Sequence, residues 1–273
     1  MPVSFKRALY ALTLLVVGGT ALVAQSLPTT QPRIIQIFRE QIKTGHDAAH
    51  AINERGWPEA FAQAKSPDYY LAMVSMTGRA EVWYVAPWAS YDAWGKAMAR
   101  DQANAELSAQ LQRLSMADAE HLDGVDVLEA VAMPDLSHGT FPDLNRARFW
   151  EITTFRLRPG AEGQFAEAAK VYGALAGKNA PGLSWRVYRV SAGLPGPTFL
   201  IFSSVQSFGE FDKMMAADEA VMKGATPQEM AVLQKFSTES MVSAVTNKYR
   251  LDPAMSYVSA ETKATDPAFW NKK

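Results

Sequence analysis

The sequence predicts an α+β protein built from two copies of one β-α-β-β-α-β unit, at about residues 31–136 and 147–258. The main observation is an internal match. "VWYVAPWASYDAWGKAMARD" (82–101) aligns without gaps on "FLIFSSVQSFGEFDKMMAAD" (199–218), an offset of 117 residues. Both copies also show the same order of alternating apolar runs, glycine turns and alanine-rich segments. These patterns predict an internal duplication.

In the first copy, the apolar run 33–42 predicts a strand, and a glycine turn and an alanine-rich helix follow it. The runs 69–76 and 80–86 are separated by "TGR" and predict a β-hairpin. A second helix is expected to begin at Ser90. The run "GVDVLEAVAM" (124–133) then closes the unit as a strand.

The second copy repeats this order. Its first strand is predicted at 148–157, and the runs 184–191 and 197–204 predict its hairpin. "SFGE" (207–210) is predicted to be a capping box at a helix start. "TPQE" (226–229) is predicted to begin a further helix, and "NKYRLDP" closes the copy as a strand.

The flanking segments complete the predicted domain organisation. Residues 1–26 resemble a signal peptide, since Lys6 and Arg7 precede a short apolar run that ends in the small-residue site "AQS". Residues 137–146 are predicted to be a linker, and 259–273 a C-terminal tail. We therefore expect export to the periplasm or the cell exterior, with an uncleaved N-terminal anchor as the alternative.

Composition excludes several classes of partner. Without residues 1–26, the chain has 25 basic and 28 acidic residues, so its net charge is 25 − 28 = −3. Such a chain has no basic surface typical of nucleic-acid binding or of stable association with an anionic membrane. It contains no cysteine, so the fold is expected to depend on its core and not on disulfides. Self-association into a homo-oligomer stays open.

The predicted signal peptide has a direct test. N-terminal sequencing of the exported protein should begin near Leu27, because the apolar run ends in a small-residue cleavage site just before it. A sequence that begins at Met1 or Pro2 would instead show that the segment is retained as an anchor.

The order β-α-β-β-α-β defines the ferredoxin-like unit, an open sheet with helices on one face. A second copy can cover the bare face, so the two sheets are expected to pack face to face as an intramolecular pseudo-dimer. In this arrangement the chain resembles the dimeric α+β barrel superfamily in its fused two-repeat form. That superfamily includes cofactor-independent monooxygenases of the antibiotic-biosynthesis type, stress-responsive barrel proteins, NIPSNAP-like proteins and haem-binding chlorite-dismutase-like enzymes. No catalytic motif of any one family can be transferred to this sequence.

No cofactor is expected. The haem enzymes of this superfamily rely on a proximal histidine in the ligand-binding copy, and this sequence has no histidine from Phe141 onward. A Ser-His-Asp order, a phosphate-binding glycine loop and a cysteine nucleophile are also missing from the sequence.

The stretch "HDAAH" resembles a zinc-hydrolase motif, with His46 and His50 one helical turn apart and Asp47 in the place of the usual glutamate. Aspartate is shorter than glutamate, and no sequence pattern places a third ligand. The internal match sets the two histidines opposite Ala161 and Phe165, on a helix that needs no metal to form. The stretch is therefore predicted to be an ordinary helix start, and no metal site is expected.

An aromatic-lined pocket between the helices and the sheet is the candidate ligand site. The expected ligand-binding residues are His50, Tyr70, Trp83, Trp185 and Arg186. His50 would face inward, and Arg186 would orient an acidic or phenolic ligand. The alternative is that these aromatic residues only fill the cores. Three functions stay open: binding of a small apolar or aromatic molecule, cofactor-independent oxygenation in the same pocket, and a structural or assembly role without a ligand.

Overall fold

Eight antiparallel strands close into one barrel in the computed structural model, which describes residues 27–272. The predicted signal segment lies outside the described residues. The α+β class is as expected, with strands in the order β1-β3-β2-β8-β5-β7-β6-β4 around the barrel. The strands are β1 (Ile34–Ile42), β2 (Tyr70–Ser75), β3 (Glu81–Trp88), β4 (Leu122–Ala132), β5 (Phe149–Leu157), β6 (Arg186–Ala192), β7 (Thr198–Val205) and β8 (Met241–Tyr257).

The barrel consists of two four-stranded halves. The first half carries β1 to β4 in the order β2-β3-β1-β4, and the second carries β5 to β8 in the order β6-β7-β5-β8. Their edges are joined by hydrogen bonds, because β4 pairs with β6 and β2 pairs with β8. The sequence predicts that the two sheets face each other, and the structure adds that they also pair along both edges. Closure leaves no free strand edge in this barrel.

The barrel interior is the main hydrophobic core. Inward-facing side chains from both halves fill it, including Ile37, Trp83, Ile152 and Leu200, each at most 3% exposed. Tyr84, the neighbour of Trp83, lies on the opposite face of the sheet in a separate cluster under the helices. The predicted alternation along this strand is therefore confirmed.

Helices cover the outside of each half. Their bounds are α1 (Asp47–Glu54), α2 (Gly56–Gln63), α3 (Tyr91–Ala103), α4 (Ala105–Asp118), α5 (Glu162–Asn179), α6 (Glu210–Lys223), α7 (Pro227–Lys235), α8 (Ala260–Thr265) and α9 (Pro267–Trp270). Within residues 27–272, no helix combines the length and the apolar character needed to cross a membrane.

Two of the three predicted helix starts are confirmed. The Ser90 side chain accepts a hydrogen bond from the Ala93 backbone, and Thr226 forms a full capping box with Glu229. The capping box predicted for "SFGE" is wrong. There the helix begins at Glu210 with Gly209 as its N-cap, and the Glu210 carboxylate accepts a hydrogen bond from the backbone of Gln206 instead.

The predicted C-terminal tail is part of the folded structure. It forms α8 and α9, and Trp270 at its end is 2% exposed and belongs to the barrel core. The Trp270 indole donates a hydrogen bond to the Asn145 carbonyl oxygen at 3.2 Å. Arg148 donates to Asp266 at 2.6 Å and lies 3.7 Å from the Phe269 ring centroid. The segment predicted as a linker and this tail therefore pack together.

Candidate functional site

A cavity of about 360 Å³ lies in the first half, between the helices α1 to α4 and the outer face of the sheet. We call it the aromatic cavity. Strands contribute Tyr70, Tyr84 and Trp88 to its walls, and helices contribute Trp57, Phe61 and Trp94. Alternation explains the strand side chains, since the residues between them point into the barrel. Its size and apolar walls are typical of small-molecule sites.

The aromatic walls support one another. Trp88 and Trp94 are nearly parallel, with an interplanar angle of 7° and ring centroids 6.0 Å apart. Tyr70 makes edge contacts with both Phe61 and Tyr84, at 5.9 Å in each case. Stacked and edge-to-face pairs of this kind hold side chains in place, so the cavity is preformed.

The inner end of the aromatic cavity is polar. Glu40 of β1, His50 and Glu54 of α1, and Asp118 at the end of α4 place one ligand atom each within 4.8 Å of one another. We call these four residues the carboxylate–histidine cluster. His50 Nε2 lies 3.0 Å from a Glu40 carboxylate oxygen and 3.8 Å from Asp118. Glu40 and Glu54 also line the aromatic cavity.

Burial changes the ionisation of this cluster. Desolvation, and then the nearby charge of Glu40, raise the pKa of Glu54 from 4.5 to about 9. Desolvation likewise raises the pKa of Asp118, although the charge of His50 opposes that shift. The cluster therefore disfavours additional negative charge.

The cavity rim carries two more carboxylates, Asp68 and Asp101. Both pair with Arg100, whose guanidinium donates a hydrogen bond to Asp101 at 2.8 Å. Among the described residues that line the aromatic cavity, none is a lysine, an arginine or a histidine. Its electrostatic character is therefore neutral to acidic.

Two of the five expected ligand-binding residues belong to this site. Tyr70 lines the aromatic cavity, and His50, 1% exposed, lies behind it in the carboxylate–histidine cluster. Trp83 points into the barrel, where its indole donates to the Glu81 carboxylate at 2.9 Å. The structure thus brings together only part of the expected set.

The other two residues lie in the second half and have structural contacts. The Trp185 indole donates to the Leu136 carbonyl oxygen at 3.0 Å, and the ring stacks on His138 with centroids 4.7 Å apart. Arg186 donates to the carbonyl oxygens of His138 and Gly139 at 2.9 and 2.8 Å. These hydrogen bonds connect Arg186 to the segment between the two halves, outside the aromatic cavity, and its expected role toward an acidic ligand stays a prediction.

Most of the polar residues of the site, Glu40, Glu54 and Asp118, were not predicted from the sequence. Glu40 and Asp118 are 78 positions apart in the sequence and meet only because α4 packs against α1 above the sheet. The available signal for Glu54 was its spacing of four from His50, which places both on one face of a helix.

The two histidines of "HDAAH" do not converge. His46 Nδ1 lies 3.1 Å from His121 Nδ1, whereas His50 faces Glu40 on the buried side of α1. His46 is also the N-cap residue of α1, and Asp47 occupies its first turn. This pair therefore does not form the zinc-hydrolase arrangement.

The second half does not fit haem. Around Phe165, the counterpart of His50, the space under the helices is filled by Phe199 and Phe236, all three at most 9% exposed, and Phe165 stacks on Phe199 with centroids 4.2 Å apart. His138 is the nearest histidine described there, and its ring stacks on Trp185 instead of facing an open space. No room or free axial ligand is present for the macrocycle among these residues.

Comparison with known proteins is informative about the fold. No protein-family model and no curated protein matches the sequence. Among solved structures, the chain is similar to an anthrone oxidase-like protein, with 14% identity, a TM-score of 0.54, and coverage of 83% of this chain and 94% of that one. It is also similar to a candidate monooxygenase from Fusobacterium nucleatum, with 10% identity, a TM-score of 0.53, and coverage of 80% and 91%. A candidate monooxygenase from Lactobacillus acidophilus is similar with 7% identity and a TM-score of 0.50, and the match covers 84% of this chain and 97% of that one. The fold of this chain is thus of the dimeric α+β barrel type.

Proposed function

We propose that this protein binds a small aromatic molecule, uncharged or cationic, in the aromatic cavity. The observation that supports this proposal is the pairing of aromatic walls with an acidic inner end that includes Glu40 and Glu54. Burial of an aromatic ring removes apolar surface from water, which is worth about 25 cal/mol per Å². A carboxylate ligand would add negative charge beside Glu40, whereas a phenol could donate a hydrogen bond to it.

Two probes that differ mainly in charge test this proposal. The EDTA-treated protein should bind 1-naphthol, and it should bind 1-naphthoate at least about tenfold more weakly, a difference of ~1.4 kcal/mol. Isothermal titration calorimetry measures both affinities. Equal affinities, or a preference for 1-naphthoate, would contradict the assigned charge preference.

A cavity-filling variant tests the location. Ala97 of α3 is 4% exposed and lines the aromatic cavity, so Ala97→Phe should occupy the space and weaken 1-naphthol binding by at least about tenfold. Ala103→Phe is the matched control, because Ala103 is an exposed residue on the same helix and does not line the cavity. If both variants bind like the wild type, the ligand site lies elsewhere.

A second candidate function is cofactor-independent oxygenation in the same cavity. The likeness in fold to candidate monooxygenases and to an anthrone oxidase-like protein supports it. In such a reaction the bound aromatic molecule itself supplies electrons to oxygen, so a cofactor-free preparation should consume oxygen when an oxidisable phenol or anthrone is added. Binding without oxygen consumption favours the binding protein. If the protein binds none of these compounds, the result would favour a structural or assembly role.

We infer that the two halves arose by duplication of one unit. The matched stretches fall on β3 and α3 in the first half and on β7 and α6 in the second. Gly45 and Gly160 hold equivalent turns with φ values of 85° and 83°. The halves differ at the site, since Phe165, the counterpart of His50, packs in a filled core. On this proposal, the first copy retained the aromatic cavity, whereas the second copy has aromatic side chains at the equivalent position and stabilises the barrel.

The proposed setting of this function is outside the cytoplasm, after removal of residues 1–26. Leu27, the expected first residue of the mature chain, is 5% exposed and belongs to the barrel core. A folded chain that begins at this position would therefore keep its core intact.

A further inference from the structure

We propose that the carboxylate–histidine cluster is a binding site for one divalent first-row transition-metal ion, held by Glu40, His50, Glu54 and Asp118. This differs from the metal-free expectation of the sequence analysis, and it does not use His46. The four ligand atoms, one imidazole nitrogen and three carboxylate oxygens, come from β1, α1 and α4 and lie within 4.8 Å of one another.

The spacing of the ligand atoms suits a metal ion. His50 Nε2 lies 3.0 Å from Glu40 Oε2 and 3.8 Å from Asp118 Oδ1. Donors that are bound about 2.0–2.2 Å from one ion lie about 3 Å from each other at neighbouring coordination positions. Small side-chain shifts therefore suffice to bring all four atoms to bonding distance.

Tyr84 and Trp57 lie near Glu54, and Asn53 lies near Asp118, but two buried oxygens of the cluster remain without a hydrogen bond. Glu54 and Asp118 are 3% and 2% exposed, yet Glu54 Oε1 and Asp118 Oδ1 have no hydrogen-bond partner in the described part of the chain. Buried carboxylate oxygens without a donor are costly, and they are rare in folded proteins. Both residues belong to the set whose ligand atoms lie within 4.8 Å of one another.

Charge balance points to a cation at that point. Across residues 27–272, no lysine or arginine pairs with Glu40, Glu54 or Asp118. His50 pairs with Glu40 and Asp118, and the nearby His121 also acts electrostatically on Asp118. To bind an ion, the three carboxyl groups would release their protons, and their combined negative charge would then exceed what one histidine can balance. A divalent ion would balance it and would satisfy the two unpartnered oxygens at the same time.

The donor set selects the class of ion. Imidazole suits zinc, iron, nickel and copper ions, whereas carboxylate also suits manganese, magnesium and calcium. One nitrogen with three oxygens therefore favours a transition-metal ion such as Zn²⁺, Fe²⁺ or Mn²⁺ over Ca²⁺. Because Glu40 and Glu54 also line the aromatic cavity, the ion would border the space proposed for the aromatic ligand.

Cobalt is a suitable probe, because its visible absorption reports coordination by protein ligands. The metal-stripped protein should bind one equivalent of Co²⁺ and should not bind Ca²⁺ with comparable affinity. Each of His50→Ala, Glu54→Gln and Asp118→Asn should weaken Co²⁺ binding by at least about tenfold. Circular dichroism checks that each variant is folded.

Matched controls separate this cluster from other histidines. The double variant His46→Ala/His121→Ala removes the neighbouring histidine pair, and His138→Gln changes a histidine of the second half. Both should bind Co²⁺ like the wild type. Loss of binding in the His46/His121 variant, or unchanged binding in His50→Ala and Glu54→Gln, would overturn the proposal.

A measurement on the unaltered protein avoids any folding defect of the variants. Paramagnetic Co²⁺ should shift or broaden the indole NMR signal of Trp57, which lies near Glu54, and should leave those of Trp185 and Trp270 unchanged. Absence of stoichiometric Co²⁺ binding, or effects confined to Trp185 or Trp270, would contradict the site.

This proposal stands independently of the proposed ligand. Ala97→Phe should reduce binding of 1-naphthol while Co²⁺ binding persists. Asp118→Asn should weaken Co²⁺ binding, whereas the metal-free variant should still bind 1-naphthol, because Asp118 does not line the aromatic cavity. Failure of one experiment therefore leaves the other interpretable.

Discussion

Neither half of the barrel, residues 27–140 or 141–273, is expected to remain a soluble, folded monomer when it is expressed alone. Separation exposes the inward-facing side chains of both sheets. Four of these in the first half are Ile35, Ile37, Trp83 and Val85. Four in the second half are Trp150, Ile152, Leu200 and Phe202. Burial of each such side chain is worth about 1.5–3 kcal/mol, so the four in one half are worth about 6–12 kcal/mol, which is comparable to the whole stability of a typical domain, about 5–15 kcal/mol.

Separation also breaks the strand pairs that close the barrel. The pairs β4–β6 and β2–β8 both join one half to the other, so each isolated half has two unpaired edges. Unpaired edges beside apolar faces promote aggregation or self-pairing. We therefore expect aggregates, partly unfolded chains, or homodimers that imitate the missing half.

Sedimentation and thermal unfolding of the halves check this expectation. Mixing the two halves should restore a compact heterodimer with the far-ultraviolet spectrum of the intact chain. A half that sediments as a monomer and unfolds cooperatively would show that its sheet does not need the other half.

Glu54 is expected to make the metal-free protein less stable as the pH rises. Its pKa is about 9 in the folded chain and 4.5 in a solvated one, chiefly because the carboxyl is buried. The folded-state pKa is raised, so the contribution to stability is fully present below pH 4.5 and is lost as the pH rises toward about 9. Between these two pH values, the free energy of unfolding should fall by an amount on the order of a few kcal/mol.

The variant Glu54→Gln isolates this effect, because its amide stays neutral at every pH. After EDTA treatment, Glu54→Gln should be more stable than the wild type at pH 9, and the difference should shrink toward pH 5. Glu40, His50, Asp118 and Tyr84 face Glu54 and are unchanged in the variant. Glu59→Gln is the control, since Glu59 is an exposed carboxyl on the neighbouring helix. A wild type and a Glu54→Gln variant with parallel stability profiles would show that Glu54 ionises normally.

Local patterns in the sequence carried most of the information about the fold. Alternation placed Trp83 and Tyr84 on opposite faces, and Thr226 with Glu229 marked a helix start. "SFGE" has the same pattern but does not form a capping box, because Gly209 becomes the N-cap and the Glu210 side chain reaches the backbone of Gln206. A short motif therefore does not determine which residue is the N-cap when a backbone N–H before the motif can donate to the glutamate instead.

The long last strand shows a second limit of the sequence. The run "NKYRLDP" predicted a short strand, whereas β8 extends over Met241–Tyr257 and pairs with both β5 and β2. Its first residues are mostly exposed and lack a strong apolar alternation. Pairing with strands from both halves, and not the local pattern, determines its length.

The candidate site depended on contacts between distant parts of the chain. Tyr70 and His50 were found because an aromatic strand and an inward-facing helix position are visible in the sequence. Glu40 and Asp118 carry no local sign of their role, since charged residues at a strand end or a helix end are usually solvated. Only the packing of α1 and α4 on the sheet brings these groups to His50.

The most direct test of the aromatic cavity is a crystal structure of the EDTA-treated protein with 1-naphthol. We expect the ring between the helices and the sheet of the first half, in contact with Trp94 and Tyr70, with its hydroxyl toward Glu40 and Glu54. A ring bound in the barrel interior beside Trp150 and Arg186, or crystals at saturating 1-naphthol without a ring in the aromatic cavity, would contradict the proposed function.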